Sequence, residues 1–145
     1  MGRRRYRVAD TAQQLVGGFL LAGPFVVTEE VWVLAAAMTW WHTLVVVGIV
    51  FGIGYGALYK ADDERDPGGE VGVAGVPIRF VSLMVVAFGS VAVLAVSLTA
   101  PRTFLVDGGV LSDPTRAAVV LTAVRAIAVG AIFSVVGAAT ADSVF

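Results

Sequence analysis

Cysteine is absent from this chain of 145 residues, histidine occurs once, and only 14% of the residues are charged. The absence of cysteine excludes disulfides, thiolate catalysis and cysteine metal sites. Ten basic and eleven acidic residues leave no basic excess, so we expect no nucleic acid partner. His42 stands beside Trp40 and Trp41 without a nucleophile nearby, so we expect no enzymatic activity and no cofactor. We interpret His42 as an interfacial hydrogen-bonding residue, with proton sensing as the alternative.

Apolar residues make up 58% of the chain, and the mean hydropathy is +0.88. These values exceed those of ordinary soluble domains. Four apolar stretches are each close to the length of about 20 residues that a helix needs to cross a bilayer. They are residues 15–38, 43–59, 78–99 and 116–140, and the longer connections between them are residues 60–77 and 100–115. The sequence therefore predicts an all-α, polytopic membrane protein with four transmembrane helices in a single domain, residues 1–145.

The distribution of basic residues predicts the orientation in the membrane. If the chain crosses the membrane four times, most of the basic residues fall on one side. These are Arg3, Arg4, Arg5, Arg7, Lys60, Arg65 and Arg79, whereas Arg102 and Arg116 fall on the other side. The positive-inside rule then predicts a multi-pass protein of the cell membrane with both termini in the cytoplasm. An alternative interpretation is a cleaved signal peptide, with an apolar run at residues 15–27 and cleavage near residues 35–37. Two glutamates interrupt that pattern and disfavour it.

These glutamates, Glu29 and Glu30, are the most informative feature of the first predicted span. A carboxylate deep in a bilayer costs a few kcal/mol, so such residues usually face a partner, a cavity or an ion path. In straight helices, Glu29 and Arg125 would each lie about 13 Å below the outer membrane surface. We therefore predict a buried ion pair between Arg125 and one glutamate. The other glutamate is then the functional candidate.

Residues next to the glutamates predict irregular backbone and oxygen ligands. Gly23 and Pro24 come shortly before them, and proline removes one helical hydrogen bond, so we expect a kink there. Thr28 offers a further oxygen, which suits a proton or a hard monovalent or divalent cation, while the sequence leaves any metal unidentified. In an alternative division at Glu29, residues 31–59 form one long helix and residues 15–28 are too short to cross.

Glycines recur at a helical interval in the second span. Gly48, Gly52 and Gly56 form one smooth face, which favours close packing of another helix. Packing within one chain and packing in a homo-oligomer would both use such a face. We expect packing within one chain as the default and keep a homo-oligomer as the alternative. The lipid bilayer is the partner that composition predicts.

The first span also carries a family resemblance. Residues 17–24, of sequence GGFLLAGP, followed by Thr28, Glu29, Glu30 and Trp32, resemble the motif of a family of bacterial and haloarchaeal integral membrane proteins of unknown function. The resemblance covers this span well and the other spans only in hydropathy. It implies Thr28, one of the glutamates and Trp32 as signature positions, and it implies no activity.

Two functional hypotheses follow from these patterns. The first is ion or proton permeation through a polar pathway that includes Thr28, Glu29, Glu30 and Arg125. The second is a structural or accessory membrane subunit, in which the buried charges only hold helices or a partner together.

Overall fold

The computed structural model describes residues 8–60, 72–73 and 76–144, which are almost entirely helical. The α-helices are α1 (Val8–Val26), α2 (Glu29–Ala37), α3 (Trp40–Tyr55), α4 (Ile78–Ser97) and α5 (Arg116–Val144). π-helical segments follow α3 (Gly56–Lys60) and α4 (Pro101–Asp107), and two short antiparallel strands, β1 (Gly72–Val73) and β2 (Val76–Pro77), precede α4. The fold is all-α, as the sequence predicts. The N-terminal arginines and most of the connection at 60–77 lie outside the described residues.

The first predicted span consists of two helices. α1 and α2 are bent by 81° relative to each other, with the break at Val27 and Thr28. Thr28 is extended, with φ −105° and ψ 137°, so it cannot continue the helical hydrogen-bond ladder. Pro24 lies in the last turn of α1, where its missing N–H removes one helical hydrogen bond. The predicted kink at Gly23 and Pro24 is therefore corrected to a sharp break just after them.

Helix lengths indicate how these elements relate to a membrane. α1, α4 and the segment from Trp40 to Lys60 are each about 28–32 Å long, close to the ~30 Å of a hydrocarbon core. α2 runs nearly perpendicular to α1, across its end. Glu29 and Glu30 therefore lie just after the break, at the start of α2, rather than inside one straight helix.

Side-chain contacts show which helix ends lie together. Arg79, near the start of α4, donates to Asp10 near the start of α1 and to Asp142 near the end of α5. These three helix ends form one end of the bundle, here called the Arg79 end. The opposite end, where α3 begins, is called the Trp40 end. The N-terminus of α1 and the C-terminus of α5 thus lie at the same end of the bundle, as an even number of crossings requires.

α5 lies at the centre of the bundle and contacts α1, α2, α3 and α4. Its approach to α1 is closest at Gly17, where an added Cβ would overlap the carbonyl oxygen of Gly137 and lie 2.6 Å from the carbonyl carbon. Next to this contact, the Ser134 hydroxyl donates to the carbonyl oxygen of Gly18 at 3.1 Å. Small residues thus let the two backbones touch, which is a common basis for helix association in membranes.

The predicted packing face on the second span has a different environment. A Cβ at Gly48, Gly52 or Gly56 would meet nothing within 4 Å, so this face packs against none of the described residues. Gly54, also on α3, does pack against another helix, because a Cβ at Gly54 would lie 2.5 Å from the Cε of Met84 on α4. Packing at Gly48, Gly52 and Gly56 within one chain is therefore corrected. α3 lies at the edge of the bundle, so most of its surface points outward.

Candidate functional site

Glu29 and Glu30 occupy the first turn of α2, and both are exposed. Carboxylates are favoured at this position because the free N–H groups of a helix N-terminus carry partial positive charge. The two glutamates line an open groove of about 520 Å³ together with Val33 and Leu34. All four lining residues belong to α2, so the acidic site is a shallow, open groove on the surface of that helix at the Trp40 end.

Thr28 immediately precedes these glutamates, and its hydroxyl is directed back toward α1. The Oγ1 atom donates to the carbonyl oxygen of Phe25 at 3.1 Å and makes no capping hydrogen bond to α2. One of the carbonyls left free at the end of α1 is thus satisfied locally. Thr28 stabilises the break, and its hydroxyl proton is not directed toward the glutamates.

Arg125 lies at the other end of α2 from the glutamates. Its Nη1 donates to the carbonyl oxygen of Met38, the C-cap residue of α2, at 2.7 Å. Among the described residues, neither Glu29 nor Glu30 forms an ion pair, so the predicted pairing with Arg125 is corrected. The physical reason is the break after α1, since α2 then holds the glutamates about 13 Å from the residue that Arg125 contacts. A cation at this helix C-terminus also complements the helix dipole.

Trp32 connects α2 back to α1. Its indole Nε1 donates to the carbonyl oxygen of Val26 at 3.0 Å, and its ring stacks on Phe104 with centroids 6.1 Å apart. The side chain is almost fully buried, with 1% exposure. The break is therefore a defined structural feature, fixed by Thr28 and Trp32 on one side and by Arg125 on the other. Thr28 and Trp32 are two of the positions that the family resemblance implied.

A second polar site, which the sequence patterns did not predict, lies at the Arg79 end. Arg79 and Asp142 are fully buried and form a salt bridge of 2.7 Å, and Asp10 accepts from the same guanidinium at 3.2 Å. Gln14 donates to Asp142 at 3.1 Å and accepts from Ser82 at 2.6 Å. The Thr11 and Ser82 hydroxyl oxygens are 3.2 Å apart. These six residues, here called the Arg79 network, join α1, α4 and α5.

The Arg79 network has a weak signal in the sequence. Asp10 and Gln14 stand one helical turn apart, and so do Arg79 and Ser82, so each pair lies on one face of its helix. From the sequence, however, Arg79 counts only as a basic residue near a span end, and Asp142 only as an acid near the chain end. Only the tertiary fold brings residues so distant in sequence together.

A third polar group lies between the two ends. Ser90 on α4 is 1% exposed, and its Oγ has no hydrogen-bond partner in the structure. A Cβ on Gly18 would lie 3.0 Å from this oxygen and 3.1 Å from the Oγ of Ser134, so both hydroxyls border the same glycine. Gly18, Ser90 and Ser134 are here called the hydroxyl layer. A buried hydroxyl without a partner carries a desolvation cost of about 1–3 kcal/mol, which a bound water would relieve.

The part of the chain that the structure describes contains no preformed metal-binding centre. That part contains no group of three or more histidine or acidic side chains placed to hold an ion. His42 instead caps α3, where its Nδ1 accepts from the backbone N–H of Thr39 at 3.1 Å.

Comparison with known proteins assigns the chain to a family. Searches of the curated proteins and of the solved structures found no match. Three described helices are long and apolar enough to cross a membrane, and the bent pair of α1 and α2 would make a fourth span. Residues 3–141 match the family described as "Putative integral membrane protein (DUF2391)", and since this covers almost the whole chain, the protein belongs to that family of integral membrane proteins.

Proposed function

We propose that this membrane protein conducts protons along the interface of α1, α4 and α5, between the glutamate groove and the Arg79 network. The observation that carries the proposal is the unpartnered Ser90 hydroxyl in the hydroxyl layer. Along α1, Gly18 lies about 12 Å from Asp10 and about 12 Å from Val26, where the helix ends. Titratable groups lie in the Arg79 network at one end, and Glu29 and Glu30 follow beyond the break at the other, with the hydroxyl layer between them. Ionisable groups in series are what proton relays through membranes use.

Water must complete such a path, because intervals of about 12 Å exceed the length of a hydrogen bond. A groove of about 440 Å³ runs between α1 and α4 beside these polar groups. Thr11, Ser82 and Ser90 are among its lining residues, so it connects the Arg79 network with the hydroxyl layer. The remaining lining residues are apolar or glycine, so water in this groove would have to follow these three hydroxyls.

Close packing favours a proton over a larger cation. At Gly17 and Gly137 the backbones of α1 and α5 are in contact, which leaves no passage for a hydrated ion between these two helices. A proton needs only a chain of hydrogen bonds. By the positive-inside rule, the proposal places the Arg79 end in the cytoplasm and the glutamates on the outer side of the cell membrane.

Flux through the full chain in proteoliposomes tests this function. We expect a proton flux under an imposed pH gradient and potential, and at least a tenfold reduction in Glu29→Gln combined with Glu30→Gln. Ser90→Ala should reduce the flux as well, whereas Ser97→Ala, at an exposed position of the same helix, is the matched control and should not.

Gradients of sodium, potassium and calcium are run in parallel with each variant. A flux of one of these cations that the glutamate variants abolish would replace the proton by that cation. Absence of any flux in folded protein, or a proton flux that Glu29→Gln and Glu30→Gln leave unchanged, would overturn the proposal.

The second candidate is a structural or accessory subunit. It is favoured by the open glycine face of α3, since a Cβ at Gly48, Gly52 or Gly56 would meet nothing within 4 Å in the described part of the chain. A helix of a second copy or of another membrane protein would cover that face. Loss of a defined complex on Gly52→Leu, together with absence of flux in the wild-type protein, would support this candidate over permeation.

A further inference from the structure

The first turns of α1 are attached to the bundle by polar contacts. Asp10 accepts from Arg79, Gln14 bonds to both Asp142 and Ser82, and Thr11 lies within hydrogen-bond distance of Ser82. On the outward side of this segment, by contrast, Leu15 and Val16 are exposed, at 40% and 65%. The Arg79 network therefore holds residues 8–16 against α4 and α5.

The network is well suited to release. Buried ion pairs contribute little net stability, because the cost of removing two charges from water offsets their attraction. The contacts of Arg79 are also unequal, since Asp142 is fully buried at 2.7 Å whereas Asp10 lies at 3.2 Å with 14% of its side chain exposed. The contact between Arg79 and Asp10 is thus the longer and the more accessible of the two. Of the two contacts, it is the one that solvent reaches first.

The chain supplies a pivot directly after this segment. Gly17 and Gly18 are consecutive, and paired small residues are among the recognised causes of helix bending. Gly17 is pressed against the backbone of Gly137, and the carbonyl of Gly18 accepts from Ser134, so the pivot itself is fixed on α5. A tilt of residues 8–16 about these glycines would leave the rest of α1 in place.

We infer that residues 8–16 form a latch, closed by the Arg79 network and hinged at Gly17 and Gly18, that controls water entry to the hydroxyl layer from the Arg79 end. Opening separates α1 from α4 where Thr11 meets Ser82, and so widens the groove that leads to Ser90. The latch would be the gate of the proposed proton path, and the identity of the conducted species rests on that proposed function. The opening itself can be measured without any flux.

Thiol labelling measures the opening directly, because the chain has no cysteine and a single introduced one has no background. The full-length protein carrying Ser90→Cys is reconstituted in liposomes and treated with a water-soluble thiosulfonate reagent. We expect labelling to accelerate at least tenfold when Asp10→Asn is added, because the amide loses the charge that attracts Arg79. Asp107→Asn is the matched control, since Asp107 is 65% exposed and lies 4.0 Å from Arg102. It should leave the rate unchanged.

A second measurement covers the case in which Asp10→Asn does not fold. Thr11→Cys with Ser82→Cys places two thiols where the hydroxyl oxygens are 3.2 Å apart, so oxidation should close the latch covalently. We expect amide hydrogen exchange over residues 8–16 to slow at least tenfold on oxidation and to recover on reduction. Exchange in α3 should stay constant.

The outcomes separate the latch from the proposed function. Labelling that responds to Asp10→Asn but not to Asp107→Asn supports the latch, even where the wild-type protein shows no flux and permeation fails. Equal labelling in parent and Asp10→Asn, or exchange that oxidation leaves unchanged, overturns the latch. A glutamate-dependent proton flux would then leave permeation standing with a different gate.

Discussion

The contact between α1 and α5 at Gly17 is the most direct test of how this bundle is held together. In Gly17→Ala the new Cβ would overlap the carbonyl oxygen of Gly137 and lie 2.8 Å from the Cβ of Ala141. Backbone atoms cannot rotate away, so the two helices must separate by roughly 1.5 Å to restore ordinary contact distances of about 3.5–4 Å. That movement would stretch the 3.1 Å hydrogen bond from Ser134 to Gly18 beyond its effective range.

The magnitude follows from three contributions to the free energy of unfolding. Overpacking of a tight site costs about 1–3 kcal/mol, and the lost hydrogen bond costs about 1 kcal/mol more. Alanine in a helix recovers about 0.5–1 kcal/mol relative to glycine. Gly48→Ala is the matched control, because it has the same propensity gain and meets nothing within 4 Å. The difference between the two variants cancels that gain and should be about 2–4 kcal/mol.

Reversible unfolding of the full chain in mixed micelles, followed by circular dichroism, measures this difference. We expect Gly17→Ala to be clearly less stable than the wild-type protein, and Gly48→Ala to equal or exceed it. Equal stability of the two alanine variants would show that α1 and α5 do not touch at this glycine, and the packing argument would be refuted.

Two further predictions concern the break between α1 and α2. Trp32→Phe keeps an aromatic ring for stacking on Phe104 but removes the donor to the carbonyl of Val26, so the same unfolding assay should show a loss of at least about 1 kcal/mol, to which the smaller ring adds the cost of a cavity; no loss would mean that the hydrogen bond does not stabilise the break. Arg125→Met removes the donor to Met38 and should cost about 1–2 kcal/mol, and a double-mutant cycle with Glu30→Gln should give a coupling below about 0.5 kcal/mol. A coupling above about 1 kcal/mol would mean that Arg125 and Glu30 do form the ion pair that the sequence predicts.

Much of the architecture could be predicted from the sequence because hydropathy is a local property. A chain with few charges and long apolar stretches can satisfy its backbone in a bilayer only as helices or a closed barrel, and the lengths of these stretches fit helices. Three of the four predicted spans correspond to single helices, α3, α4 and α5. The first does not, because its apolar composition continues through Val27 and Thr28 while its backbone direction changes there.

The site was harder to predict, because its chemistry depends on direction and distance. Two straight helices would bring Glu29 and Arg125 to one depth, but the 81° bend moves the glutamates away and leaves Arg125 with the carbonyl of Met38. Gly48, Gly52 and Gly56 have the spacing of a packing face, but spacing does not show whether a neighbour is present. The glycines that α5 contacts, Gly17 and Gly18, differ from them only in position within the bundle.

The sequence by itself determined that the protein is an all-α membrane protein with two glutamates after a proline-containing helix, because composition and spacing act along the chain. Only the tertiary structure decided that these glutamates lie exposed in a groove and that the buried charges are Arg79 and Asp142 instead. Those two residues are far apart in sequence, and each is unremarkable beside its own neighbours. Their burial results from the packing of α1 and α4 against α5, which no local pattern records.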